Sequence, residues 1–150
     1  MKNRVRILIV DDDETIRRTM SLILEGEGYT VETAETGRQA VEKSRAKIFN
    51  AALLDIRLPD MEGTKLLKKL RQTTPKTIKI MVTGYPQLSN AVEALNSGAD
   101  AYLIKPVKPD ELIKTLKHKL EAQNRAKKTT EENITAFLET RTHQLLQNLG

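Results

Sequence analysis

Carboxylates follow two of the most apolar segments of the chain. Asp55 comes directly after Ala51-Ala52-Leu53-Leu54, and three acids, Asp11-Asp12-Asp13, come directly after Ile7-Leu8-Ile9-Val10. Short uninterrupted apolar runs are typical of strands that are buried on both faces of a parallel sheet. Three adjacent acids repel one another, and either a helix N-terminus or a divalent cation would relieve that repulsion. Taken alone, Asp55 would more often simply end a strand or cap a turn.

Apolar and amphipathic segments alternate through the first 120 residues or so. Strands are predicted at residues 5–10, 29–34, 51–55, 78–82 and 101–104. Helices are predicted at residues 14–25, 37–46, 64–73 and 88–96, and again from residue 109 onward. Five β/α units in regular alternation predict a parallel sheet with helices on both faces.

Polar side chains follow four of the five predicted strands. They are Asp11 and Asp12 after the first strand, Asp55 after the third, Thr83 after the fourth and Lys105 after the fifth. We expect these groups to converge, because the carboxyl ends of parallel strands share one edge of a sheet, where open α/β folds bind ligands. Oxygen ligands without His or Cys suit a hard cation, and Mg²⁺ in particular is held by carboxylates, waters and phosphate oxygens. Asp55 would then act as a nucleophile toward a phosphoryl group, whose oxygens would be met by the Lys105 ammonium and the Thr83 hydroxyl.

This ordered set resembles the receiver domain of two-component response regulators over roughly residues 4–120. The residues that carry the resemblance are Ile7-Leu8-Ile9-Val10-Asp11-Asp12, Leu54-Asp55 with Pro59 and Gly63, Thr83-Gly84, Tyr102 and Lys105-Pro106. No single piece is specific, whereas all of them in this order are highly specific. The resemblance implies a flavodoxin-like, doubly wound five-stranded parallel sheet of order 2-1-3-4-5, with the site at the topological switch point.

The resemblance also implies a phosphorylation site with a bound cation. In that family the residue matching Asp55 accepts a phosphoryl group from a sensor histidine kinase, a phosphotransfer protein or a small phosphodonor. The residues matching Asp11, Asp12 and Asp55 hold Mg²⁺ together with the backbone carbonyl of the residue matching Arg57. The expected activity is limited to phosphorylation and dephosphorylation of the chain's own Asp55, so we do not expect an enzyme that acts on a separate substrate.

A conformational switch is the second implication of the resemblance. Thr83 and Tyr102 match the two switch residues, and the bond between Lys105 and Pro106 matches a peptide that tends to be cis, in keeping with the rule that cis bonds belong to X-Pro. Phosphorylation would change the face formed by the fourth helix, fifth strand and fifth helix. That face would then bind or release a downstream protein target.

The residues beyond the fifth β/α unit predict a helical extension. We assign residues 1–122 to the receiver domain and residues 123–150 to the extension, in which no output domain is recognised. The polar run Glu121–Lys128 is expected to separate the fifth helix from a second short helix, because Thr129 and Glu132 have the spacing of a capping box. Apolar residues then recur at Ile134, Phe137, Leu138, Leu145, Leu146 and Leu149. Polar residues interrupt the heptads of a long parallel coiled coil at Lys127, Thr130 and Arg141. Packing on a partner or in a homodimer and a frayed tail both remain open.

Charge and composition narrow the class of partner. The formal charge is +5, from 25 basic and 20 acidic residues, but these charges are interspersed, and only two Phe and three Tyr could stack on bases. We therefore do not expect a direct nucleic-acid partner. No apolar run has the length of a membrane span or a signal-peptide core, and there is no Cys, so we expect a cytoplasmic protein without a membrane partner.

A stand-alone receiver that controls a protein partner is the function the sequence predicts best. A phosphatase of the haloacid type would need a second Asp two residues after the nucleophile, and Arg57 occupies that position. An interaction module that works without phosphorylation and a DNA-associated transcriptional regulator remain as alternatives. Arg57 and Tyr85 flank the predicted site, and if they cover the phosphoryl group they would slow its hydrolysis.

Overall fold

The computed structural model describes residues 4–74, 76–84 and 87–149. Strands and helices alternate throughout these ranges, as the apolar pattern predicts. Their bounds are β1 (Arg6–Val10), α1 (Glu14–Gly26), β2 (Thr30–Ala34), α2 (Gly37–Ala46), β3 (Ala51–Asp55), α3 (Gly63–Thr73), β4 (Ile78–Thr83), α4 (Leu88–Asn96), β5 (Ala101–Ile104) and α5 (Pro109–Asn148). The predicted bounds of the strands and of the first four helices differ from these by one residue at most.

The strands form one parallel sheet of order β2-β1-β3-β4-β5, which confirms the predicted flavodoxin-like topology. In its register Ile9 is aligned with Leu53, and Leu53 with Ile80. Every residue of β3 and β4 is buried, because these two strands are covered by helices on both faces. The chain order reverses at β1 and β3, so the carboxyl ends of these strands border the crevice in which such folds bind ligands.

Two apolar clusters lie on opposite faces of the sheet. Successive strand residues point to opposite faces, so Leu8 belongs to the cluster under α2, α3 and α4, while Ile7 belongs to the cluster under α1 and α5. Leu66 and Leu67 of α3 fill the first cluster, and Leu116 of α5 contributes to the second. The two clusters fix the strands and therefore fix the edge at which the polar residues stand.

A charged residue, Lys79, lies inside this buried framework in β4. Its Nζ donates hydrogen bonds to the backbone carbonyls of Thr74, at 3.0 Å, and Thr77, at 2.8 Å. Burial lowers the pKa of Lys79, while the nearby Asp100 partly offsets that effect. The ammonium thus satisfies carbonyls just beyond the end of α3, where the backbone has acceptors without helical donors.

The predicted break between the fifth helix and a second short helix is wrong, because α5 continues without interruption from Pro109 to Asn148. The segment Glu121–Lys128 consists mainly of strong helix formers and contains neither Gly nor Pro. The hydroxyl of Thr130 donates to the carbonyl of Ala126 at 3.0 Å, as it does inside a helix, so residue 129 begins no new helix.

No helix among the described residues is long and apolar enough to cross a bilayer.

Among the described residues, Gln123 makes the last hydrogen bonds that join α5 to the rest of the fold. Its side-chain amide donates to the carbonyls of Asn50, at 3.3 Å, and Lys76, at 2.9 Å. These two residues precede β3 and β4, so the helix leaves the domain at the amino edge of the sheet. Residues 124–149 are all exposed beyond that point.

Candidate functional site

The opposite, carboxyl edge of the sheet brings the predicted polar residues together. Asp11 follows β1, Asp55 ends β3, Thr83 ends β4 and Lys105 follows β5. Three of these residues are buried: Asp11 is 1%, Asp55 7% and Thr83 0% exposed. The backbone N–H of Lys105 donates to the carbonyl of Thr83 at 2.7 Å, which joins the ends of β4 and β5.

The Lys105 ammonium lies between two buried carboxylates. Its Nζ is 2.8 Å from Asp11 Oδ2 and 3.4 Å from Asp55 Oδ2. Burial raises the pKa of Asp55 and the negative charge of Asp11 raises it further, while Lys105 and the backbone N–H of Arg57 oppose these effects. Burial alone would lower the pKa of Lys105, but its hydrogen bond to Asp11 and the charges of Asp11 and Asp55 outweigh burial and raise it. The ammonium therefore stays charged and holds the two carboxylates together.

Three carboxylates form a cluster of oxygen atoms at this edge. One oxygen from each of Asp11, Asp12 and Asp55 lies within 4.8 Å of the others, and Asp12 is exposed to solvent. Asp13 is separate, because its carboxylate caps α1 by accepting from the N–H of Ile16 at 3.2 Å. The ligand sphere of Mg²⁺ has a radius of about 2.1 Å, so two ligands on opposite sides are about 4.2 Å apart. The cluster is therefore consistent with Mg²⁺ after small movements of the side chains.

Arg57 approaches Asp55 through its backbone. Its N–H points to Asp55 Oδ1 at 3.5 Å, and the residue forms an isolated antiparallel bridge with Glu62. The role of the Arg57 carbonyl as a cation ligand remains a prediction. Tyr85, the other residue expected to flank the site, lies outside the described residues.

Gly63 explains how the loop after β3 returns to the strand end. A Cβ atom on Gly63 would lie 2.3 Å from the carbonyl oxygen of Asp55 and 2.9 Å from the Cα of Ile56. The N–H of Gly63 also donates to the carbonyl of Ile56 at 2.7 Å. The sequence indicated only that glycine would make this loop adaptable, whereas the structure shows that a side chain would collide with the backbone of the site.

The two predicted switch residues contact each other. The side chains of Thr83 and Tyr102 are hydrogen bonded, and burial raises the pKa of Tyr102 although this hydrogen bond partly offsets the effect. Tyr102 is half-buried and packs against the core cluster under α2, α3 and α4. The peptide bond between Lys105 and Pro106 is cis, the isomer that the resemblance implies.

The sequence did not single out two residues that hold the backbone around the site in place, Arg17 and Asp60. Arg17 donates from Nη1 to the carbonyl of Asp11 at 2.6 Å and forms an ion pair with Glu35 at 3.4 Å. This contact fixes the backbone that carries the first acid. The only sequence signal was a basic residue in the second turn of a helix, a position at which such residues usually face solvent.

Asp60 holds the loop after β3 against α2. Its carboxylate accepts from the backbone N–H groups of Gly37 and Arg38, each at 2.9 Å. Although burial raises the pKa of Asp60, these hydrogen bonds outweigh it and lower the pKa below its ordinary value. The acid thus serves the N-terminus of a helix that lies 23 residues earlier in the chain, a contact that local sequence patterns do not reveal.

Comparison with known proteins agrees with the fold and identifies a family. A family model described as the response regulator receiver domain matches residues 7–117. The chain is 51% identical to a CheY-like response regulator receiver domain protein from Methanospirillum hungatei, whose crystal structure superposes with a TM-score of 0.81 and covers 83% of this chain and 99% of that one. The beryllofluoride-activated NtrC4 receiver domain dimer is 36% identical, with a TM-score of 0.76 over 79% of this chain and 98% of that one.

Longer relatives are named as transcriptional regulators. The chain is 43% identical over 117 residues to the transcriptional regulatory protein ZraR of Klebsiella oxytoca, a match that covers 78% of the chain and 26% of the relative. It is 39% identical over 111 residues to the alginate biosynthesis transcriptional regulatory protein AlgB of Pseudomonas syringae, covering 74% of the chain and 25% of that protein. The chain spans about a quarter of the length of these relatives. From its family match, its fold and its site, the chain belongs to the response regulator receiver domain family of two-component systems.

Proposed function

We propose that this chain acts as a receiver in phosphorelay signalling and that Asp55 is its phosphoacceptor. The observation that carries the proposal is the position of the Asp55 carboxylate, at the end of a central buried strand and 3.4 Å from the Lys105 ammonium. Its pKa is raised by burial and by Asp11, a perturbation typical of functional carboxylates. A carboxylate that merely ended a strand would require neither the second acid nor the ammonium.

The reaction is a phosphoryl transfer to the chain's own side chain. An Asp55 Oδ atom attacks the phosphorus of a phosphohistidine or a small phosphodonor, an O–P bond forms, and the leaving group departs with the electron pair of the broken bond. Lys105 then binds one phosphoryl oxygen, and the hydroxyl of Thr83 donates to another. No separate substrate is turned over.

The carboxylates of Asp11, Asp12 and Asp55, with the carbonyl of Arg57, would hold Mg²⁺. When bound, the ion supplies positive charge that keeps Asp55 ionised and neutralises phosphoryl oxygens. The donor would be a sensor histidine kinase or a phosphotransfer protein. We place the reaction in the cytoplasm, because a kinase that takes its phosphoryl group from ATP works there.

The hydrogen bond between Thr83 and Tyr102 suggests how the phosphoryl group would be sensed. A phosphoryl oxygen on Asp55 competes with Tyr102 for the Thr83 hydroxyl, so phosphorylation changes the contacts of the tyrosine and of the surface around it. That surface, formed by α4, β5 and α5, already exposes apolar side chains at Val92, Leu95 and Ile104. Exposed apolar groups of this kind favour a protein as the downstream target.

Intact-protein mass spectrometry tests the proposal. The full chain is incubated with acetyl phosphate, with and without Mg²⁺, alongside the variants Asp55→Asn and Asp110→Asn. Asp110 is an exposed acid in the first turn of α5 and serves as the matched control. We expect a Mg²⁺-dependent gain of one phosphoryl group in the wild type and in the control, and none in Asp55→Asn. A gain that persists in Asp55→Asn would contradict the proposal.

A DNA-associated transcriptional regulator is the second candidate, because the longer relatives are named as such. Fluorescence anisotropy with duplex DNA over a series of salt concentrations distinguishes the two candidates. A receiver whose target is a protein predicts only weak DNA binding that disappears with salt and does not depend on phosphorylation. Sequence-specific binding by the phosphorylated chain would favour the regulator instead.

A further inference from the structure

The outer half of α5 exposes a row of apolar side chains. Residues 124–149 form no hydrogen bond or ion pair with any part of the described chain outside α5, and all of them are exposed. Six large apolar side chains in this segment are each more than half exposed: Ile134, Phe137, Leu138, Leu145, Leu146 and Leu149. We call residues 124–149, which include the C-cap Leu149, the outer segment of α5.

Most of this row continues the face by which α5 packs on its own sheet. Ile134 follows Leu116 by 18 residues, which is five turns of 3.6 residues, so the two side chains point the same way. Leu138 has the same relation to Leu120. Leu116 is fully buried against the sheet and Leu120 is half-buried, whereas Ile134 and Leu138 are more than half exposed.

The domain to which this helix belongs cannot cover the row. Gln123 reaches the carbonyls of Asn50 and Lys76 at the amino edge of the sheet, and the helix continues beyond that edge. At 1.5 Å per residue, the 26 residues of the outer segment extend roughly 39 Å away from the domain. The described part of the chain therefore leaves the apolar row open to a second molecule.

The charged residues in the row indicate how a second copy of the segment could pair with it. Residues facing the same way recur at alternating steps of four and three: Lys127, Glu131, Ile134, Leu138, Arg141, Leu145 and Asn148. Two copies aligned in parallel would place Glu131 opposite Glu131 and Arg141 opposite Arg141, and like charges at such positions repel. A parallel pair is therefore disfavoured.

An antiparallel pair centred on Ala136 gives the opposite result. Positions whose numbers add to 272 then face each other, so Glu131 of one copy meets Arg141 of the other, and this ion pair occurs twice. Ile134 meets Leu138, also twice, which forms an apolar centre between the two ion pairs, and outside them Lys127 faces Leu145. Phe137 lies one residue from the two-fold axis, so it flanks the apolar centre close to its own counterpart.

The charges of Glu131 and Arg141 are not paired within the described part of one chain. Among the described residues, Glu131 and Arg141 take part in none of the ion pairs, the last of which along the chain involves Lys117. Ten residues separate the two along the helix axis, roughly 15 Å, so they cannot pair within one helix. A second copy of the chain satisfies both charges at once.

We propose that the outer segment of α5 binds a second copy of this chain as an antiparallel two-stranded coiled coil, with Glu131 paired to Arg141 across the interface. Each receiver domain then stands at an opposite end of the pair, and its carboxyl-edge site faces away from the interface. The assembly does not depend on phosphorylation of Asp55.

Charge reversal in the full chain tests the pairing by sedimentation equilibrium. Glu131→Arg and Arg141→Glu each place like charges at both interface pairs, so we expect the dissociation constant of each single variant to rise at least tenfold, equivalent to about 1.4 kcal/mol. The double variant Glu131→Arg/Arg141→Glu restores opposite charges and is expected to return to within about threefold of the wild type. Glu139→Arg reverses a charge on the outer face of the same segment and is the matched control, with no change expected.

Each alternative gives a different result in this experiment. A wild type that stays monomeric at about 100 μM would overturn the proposal, since dimers of useful affinity would form there. A parallel pair or a different protein partner would leave the single variants no weaker than the wild type in self-association. Circular dichroism on each variant confirms that the helix is retained, and the double variant separates lost pairing from lost folding.

The direction of the two helices is measured by pulsed electron resonance between nitroxide labels. The chain has no Cys, so Gln147→Cys provides a single labelling position outside the contact row. Residue 147 of one copy lies opposite residue 125 of the other in the antiparallel register, which separates the two labels by roughly 33 Å along the axis. In a parallel pair the two labels would lie at the same height on the outer surfaces of two adjacent helices, each about 10 Å across, so a distance of about 20 Å would contradict the proposal.

Discussion

At the scale of single residues, the site is a set of charges that do not cancel. Asp11, Asp12 and Asp55 bring three carboxylates to one edge, and Lys105 supplies one ammonium. Asp55 is buried beside Asp11, and both conditions favour its protonated form. The ionised form of Asp55, which we propose as the nucleophile, is thus destabilised by its surroundings. A bound cation or the transfer of a phosphoryl group would reduce this destabilisation.

This imbalance gives a prediction about the stability of Asp55→Asn. The pKa of Asp55 is raised in the folded state, so ionisation destabilises the fold above that pKa, and the penalty disappears as the pH falls toward 3.8. Without divalent cations at pH 7, we expect Asp55→Asn to melt about 2–4 °C above the wild type, the shift that about 1 kcal/mol produces in a chain of this size.

Thermal denaturation followed by circular dichroism measures this difference. The gain should shrink when the pH is lowered toward 3.8, and also when Mg²⁺ is added, because the ion stabilises the ionised wild type only. If the variant were less stable than the wild type at pH 7, burial and Asp11 would not be destabilising the ionised Asp55 carboxylate.

At the scale of elements, the loop between β3 and α3 is the part that positions the phosphoacceptor. Gly63 lets the start of α3 approach the carbonyl of Asp55, and Asp60 fastens the middle of the loop to the N-terminus of α2. The N–H of Arg57, in the same loop, points to the Asp55 carboxylate. A change in this loop should therefore alter both folding and phosphorylation.

Gly63→Ala is expected to be destabilising by about 1–3 kcal/mol, because its Cβ would lie 2.3 Å from a backbone oxygen that cannot move freely. We also expect its phosphorylation by acetyl phosphate to slow. Gly26→Ala is the matched control, since a Cβ there meets nothing within 4 Å and Gly26 ends a helix. Urea denaturation measures both variants, and equal stability of the two would show that the close approach at Gly63 is unimportant.

Local patterns predicted the elements that have a strong apolar period or a clear terminator. The strands, the convergence of Asp11, Asp55, Thr83 and Lys105, and the order of the sheet follow from short apolar runs and from the family resemblance. The break near Thr129 was wrong, because helix propensity over Glu121–Lys128 outweighed a capping-box pattern. Contacts distant in sequence, such as that of Asp60 with the start of α2, leave no local signal.

At the scale of the whole molecule, α5 belongs to two environments. Its first half buries Leu112 and Leu116 against the sheet, beside β4 and α1. Its outer half exposes Leu145, Leu146 and their neighbours to solvent. One continuous helix therefore joins the receiver domain to a surface that the domain itself does not use.

Two leucine substitutions in this one helix should have unequal effects on the stability of the monomer. Leu116→Ala removes a fully buried side chain and is expected to lower the free energy of unfolding by about 2–5 kcal/mol. Leu145→Ala changes a side chain that is 52% exposed and should alter it by less than about 0.5 kcal/mol. Urea denaturation at low protein concentration measures both, and a large effect of Leu145→Ala would show that the outer segment packs on its own domain.

The central claim is that the carboxylate of Asp55 becomes an acyl phosphate. Borohydride reduces an acyl phosphate to an alcohol, so reduction of the phosphorylated chain converts the modified aspartate to homoserine. Peptide mass spectrometry then locates the change directly. We predict homoserine at position 55 alone, and only when both the phosphodonor and Mg²⁺ were present. Homoserine at Asp11 or Asp12, or a phosphorylated chain in which Asp55 stays unreduced, would contradict the account.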